Sequence, residues 1–167
     1  METPQSGRDA SSPTVMPYDE ESFAQAAARL GARFDRDGAS IRVLFAGGTR
    51  EAHQKALSTL ADHTIENVHQ FTLPTLVKER RMQTQSSIRK AFDAAAEEGA
   101  LLYFDRVDML FDWRHPDSMG GEEEPSSVEY FLQRVEAYAG VVALALDAPD
   151  HIEAARAYGL DLIVDFS

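Results

Sequence analysis

Residues 41–54 read IRVLFAGGTREAHQ: a mainly apolar run Ile41–Ala46, a Gly47-Gly48 turn, and the start of a helical pattern at Ala52, Ala56 and Leu60. A short run of this kind, bounded by glycines, has the length and composition of a strand buried on both faces, as in a parallel sheet. The same kind of run recurs at Leu101–Phe104 (LLYF), Val141–Leu146 (VVALAL) and Leu162–Phe166 (LIVDF), with a weaker one at Ile65–Phe71. Between them lie helical spacings: Ile88, Ala91, Phe92, Ala95, then Val128, Phe131, Leu132, Val135. Upstream, Phe23, Ala26, Ala27 and Leu30 mark an amphipathic helix that Gly31 or the Asp37-Gly38 turn would stop. Strands alternating with helices predict an α/β fold, a three-layer αβα domain around a five-stranded, mainly parallel sheet.

The chain has 167 residues, 44% of them hydrophobic, which suits one domain with a real core and is too short for two. Residues 1–18 (METPQSGRDASSPTVMPY) carry few large apolar groups and read as a disordered tail, leaving 19–167 as the domain. A net charge of −12 repels a polyphosphate backbone, so nucleic acid is not an expected partner. There is no cysteine for a disulfide or a thiolate zinc site, no membrane-length apolar run and no signal-peptide order, so a cytoplasmic protein is expected. Asp112–Ser127 (DWRHPDSMGGEEEPSS) reads as a long exposed excursion.

In a doubly wound domain the turn after the first strand, leading into a helix N-terminus, is where phosphates bind, because free N–H groups and the helix dipole point there. A phosphate-binding loop needs G-x-x-x-x-G-K and then Ser or Thr: glycines to wrap the phosphates, lysine to neutralise them, a hydroxyl to hold magnesium. Counted from Gly47, the second glycine falls on Ala52, the lysine on His53 and the hydroxyl on Gln54. Glu51 adds a negative charge within the same turn. Two readings stay open, a turn that still holds a phosphate and an ordinary strand-to-helix turn; the substitutions favour the second.

Two later segments carry a family resemblance. Leu101–Phe111 (LLYFDRVDMLF) resembles the Walker B strand of AAA+ ATPases, and residues 128–166 (VEYFLQRVEAYAGVVALALDAPDHIEAARAYGLDLIVDF) resemble the helix, sensor-1 strand, arginine-finger helix and last strand of that fold. The likeness spans about residues 40–166 and is closest to the short AAA+ ATPases encoded with contractile, phage-tail-like injection systems. It implies a P-loop NTPase-like domain without the C-terminal helical lid. In that register Asp105 matches the Walker B aspartate, but Arg106 replaces the glutamate that polarises the attacking water, and arginine cannot accept a proton. Asp147 stands where a sensor asparagine belongs, and the arginine-finger pair falls on Tyr158 and Gly159, with Arg156 nearby. The pore-loop aromatic corresponds to Arg80, in the basic run Lys78–Arg81 (KERR). Each lost transition-state group typically costs about 2–4 kcal/mol, so negligible turnover is expected.

The resemblance therefore implies a catalytically inactive, pseudo-ATPase domain, not an enzyme, with no cofactor and no metal, acting as a protein-binding or scaffolding module through a protein partner or self-association. The alternative is a regulator that still binds ATP or ADP without efficient hydrolysis. Gly47, Gly48, His53, Gln54, Asp105, Arg106 and Asp147 are the vestigial site; Arg80, Arg81 and Trp113 are the candidate interface. A hard cation between Asp105, Asp108 and Asp112 is a minor possibility by residue type. The five histidines (His53, His63, His69, His115, His151) show no zinc spacing and are expected at the surface or its boundary.

Overall fold

The computed structural model of the chain describes residues 13–38, 40–108, 110, 127–148, 152–155 and 159–167. In order these form β1 (Thr14–Pro17), α1 (Glu20–Asp37), β2 (Ile41–Ala46), α2 (Arg50–His63), β3 (Val68–Thr72), a 3₁₀ turn (Leu73–Leu76), α3 (Arg81–Glu98), β4 (Leu101–Asp105), α4 (Ser127–Ala137), β5 (Val141–Leu146), the short α5 (Ile152–Ala155) and β6 (Leu162–Asp165). The sheet order is β1-β6-β2-β5-β4-β3, and every described pairing is parallel.

Every residue of β2, β4 and β5 is buried, so each strand must be covered on both faces. Successive side chains alternate accordingly. Val43, Phe45, Tyr103, Ala143 and Val164 pack beneath α1 and α2, against Phe23, Ala27, Leu57 and Leu60. Leu44, Phe104, Leu144 and Ile163 pack beneath α3 and α4, against Ile88, Phe92, Phe131 and Val135. The layered α/β expectation holds at this level.

The strand count does not: the sheet has six strands where five were expected. The sixth is β1, inside the segment read as a tail to residue 18. It pairs with β6 from Thr14↔Leu162 to Pro17↔Asp165, and the Tyr18 N–H donates to the Asp165 carbonyl at 2.8 Å. An edge strand is held by its backbone, so its mostly exposed side chains carry little apolar signal, and an edge tolerates Pro17.

Of the two stops the sequence offered for α1, the helix passes Gly31 and runs to Asp37, at the Asp37-Gly38 turn. Gly38, in the left-handed region at φ 64°, ends it, donating to the Phe34 carbonyl at 2.8 Å. Gly31 is kept for packing: a Cβ there would lie 2.0 Å from the His63 carbonyl oxygen at the end of α2. Arg42, the one charge within β2, is 2% exposed, and its guanidinium donates to the carbonyls of Ile41, Glu136, Tyr138 and Gly140. It thereby ties the start of β2 to the end of α4.

Because the strands are parallel, β2, β4 and β5 all end at one edge, where α2 begins. Gly31→Ala tests the α1–α2 contact. Helix propensity alone favours alanine by about 1 kcal/mol, whereas the close approach predicts a net loss of about 1–3 kcal/mol in urea unfolding. Unchanged or increased stability would show that the helices do not meet there.

Candidate functional site

The turn from β2 to α2 is built on two glycines, both at φ 81°. The Gly47 N–H donates to the Leu146 carbonyl at 3.1 Å. At Gly48 a Cβ would sit 2.6 Å from the Cβ of Phe166, so the turn is closed down on the residue following β6. Thr49 caps α2, its Oγ1 accepting from the Ala52 N–H at 3.1 Å.

His53 overturns the surface expectation. It is 2% exposed, and its Nε2 lies 2.6 Å from the Gly47 carbonyl oxygen, which can only accept, so Nε2 carries the proton. The ring lies between aromatic neighbours, 6.0 Å from Phe45 and 5.0 Å, edge to face, from Phe166. Phe166 is in turn stacked on Tyr18 at 4.4 Å. The side chain at the lysine position thus turns inward to a carbonyl of its own loop. Of the other histidines, His63 is exposed, His69 pairs with Glu98 at 2.9 Å, and His115 and His151 lie outside the described residues.

Gln54, at the magnesium-hydroxyl position, donates instead to Gln70 Oε1 at 3.1 Å. Asp105 ends β4 and is 4% exposed; Oδ2 is 3.5 Å from an Arg50 guanidinium nitrogen, and Oδ1 is buried with no hydrogen-bond partner. Tyr103, two residues earlier on the same face of β4, is wholly buried, and its hydroxyl also lacks a partner at hydrogen-bond distance. Burial, and then the Asp105 carboxylate, push that phenol far above its ordinary range. Arg106 takes the left-handed conformation, φ 57°, with an exposed side chain. Asp147 is exposed beyond β5.

Asp108 was a candidate cation ligand. Its two carboxylate oxygens accept from the backbone N–H groups of Asp147 (2.9 Å) and Ala148 (3.0 Å), tying the exit of β4 to that of β5. Asp112 lies outside the described residues, and among those described no group of acidic or histidine side chains is arranged to hold a metal.

The structure therefore gathers Gly47, Gly48, His53, Gln54, Asp105 and Asp147 along one sheet edge. Arg80, exposed, precedes the first turn of α3 without a side-chain cap, and Arg81 is half-buried. Beside them Met82 is 78% exposed, an apolar surface the sequence reading missed. Trp113, Arg156 and Tyr158 fall outside the described residues, and Gly159 is at φ 71°. A scan against protein-family models finds no match for this chain, and a search of curated proteins finds none either.

His53→Ala would strip the Gly47 carbonyl of its donor and leave a void between Phe45 and Phe166. A loss of about 2–4 kcal/mol in urea unfolding is expected; a neutral outcome would mean the imidazole is not buried as described.

Proposed function

We propose that this chain is a degenerate AAA+-like domain that has lost nucleotide hydrolysis and serves as a protein-binding or scaffolding module, assembling with itself or with an active AAA+ partner of a contractile injection system. The observation that carries this reading is the filled turn. A phosphate loop needs open space and a cation at Gly47–Thr49, whereas here Phe166 is packed against Gly48 and the His53 ring turns inward to the Gly47 carbonyl. No lysine would neutralise a phosphate there, and Asp105, already beside Arg50, would oppose it. Arg106, where a general base is needed, can only donate.

A protein surface is retained. Lys78, Arg80 and the exposed Met82 lie together where α3 begins, at the same end of the sheet, in a chain of net charge −12. Basic groups around an exposed apolar side chain suit an acidic partner surface with an apolar centre. A second reading, a regulator that still senses ATP or ADP, is favoured by one observation: the buried, unpartnered Oδ1 of Asp105.

Mass measurement in solution by light scattering, alone and with each protein encoded beside it, tests the first reading. An oligomer or complex is expected, weakened about tenfold or more when Arg80→Glu and Met82→Asp are combined. A strict monomer with every such protein contradicts it.

A further inference from the structure

At the opposite end of the sheet, where β1 and β6 begin and α1 ends, lies a cleft of about 300 Å³. Three arginines of one helix face, Arg29, Arg33 and Arg36, line it, and among the described residues Asp161 is its one lining carboxylate. Residues at this spacing are neighbours on a helix, so three guanidinium groups there repel one another unless something neutralises them. Asp161, whose Oδ1 accepts from Arg33 at 3.0 Å and Oδ2 from the Arg42 backbone N–H at 2.7 Å, carries one negative charge and offsets only one of the three.

What remains is a surplus of donors. The Arg33 Nε is buried and has no hydrogen-bond partner. Arg36 meets Asp37, its exposed sequence neighbour, at 3.2 Å, and Arg29 makes no hydrogen bond or ion pair among the described residues. Ala26, Leu30 and Leu162 supply an apolar floor. Paired oxyanions match the guanidinium fork, and a volume of this size is at the small end of ligand pockets.

We propose that this cleft binds a small organic polyanion, held through its carboxylate or phosphate oxygens by Arg29, Arg33 and Arg36 over the apolar floor. The site is remote from the β2–α2 turn and independent of the scaffolding reading.

Calorimetric titration of the full chain at low ionic strength, with pyrophosphate and separately with citrate, tests it. Saturable one-site binding is expected for at least one of the two. Pyrophosphate alone would mark a phosphate ligand, citrate alone a carboxylate, and both a general oxyanion site. Arg29→Gln, at an exposed residue with no ion pair among the described residues, should weaken binding about tenfold, and Arg33→Gln at least as much. Arg50→Gln, at the far edge of the sheet, should leave binding unchanged. No saturable heat with either anion overturns the proposal, as does binding that survives Arg29→Gln with undiminished affinity or that is lost in Arg50→Gln.

Discussion

Strand β2 is hydrogen-bonded to β5 on one side and β6 on the other while buried on both faces, and the rest of the fold follows from satisfying it. A backbone so enclosed has no water to bond, so both neighbours must be present, each brought back parallel by a crossover. The two apolar faces then need two helical layers, supplied by α1 with α2 and by α3 with α4. Arg42 secures the strand's entry by ending α4 against it. The strand's exit lies inside the sheet edge, where a phosphate-binding turn is built when a fold of this kind carries one.

At that exit, packing stands in place of charge recognition. A phosphate turn keeps its N–H groups and a cation directed at empty space. Here a glycine is pressed against Phe166, and an imidazole is bonded to the loop's own carbonyl within a cluster formed by Tyr18, Phe45 and Phe166. The cluster draws on both ends of the described chain, so it also fastens β1 and β6 to the centre of the fold. The same atoms that disfavour an anion at this edge thereby contribute stability. His53 and Gln54 thus each hold a structural contact of the turn and its helix.

The internal strands were legible because burial on both faces leaves a continuous apolar run, and Ile41–Ala46 and Val141–Leu146 match the structure at both ends. Strand β1 was not, since an edge strand is specified by backbone pairing to a partner nearly 150 residues away. Between Gly31 and the Asp37-Gly38 turn as the stop of α1 the sequence could not choose, because it shows the missing side chain at Gly31 but not the His63 carbonyl that occupies its place. The residues of the β2–α2 turn could be named from the sequence, yet the burial of His53 depended on Phe166 from the far end of the chain. The arginine spacing on α1 was visible in the sequence. Its cleft was not, because Asp161 and Leu162 complete it from β6.

Whether the β2–α2 turn is closed to phosphate is reported by the backbone amide signals of Gly48, Thr49 and Glu51. In a nitrogen-edited NMR titration with Mg-ATP, these signals are expected to stay in place up to millimolar nucleotide, whatever occurs at the distant arginine cleft. Saturable shifts of these amides, together with those of His53 and Phe166, would show instead that the turn opens to admit the nucleotide.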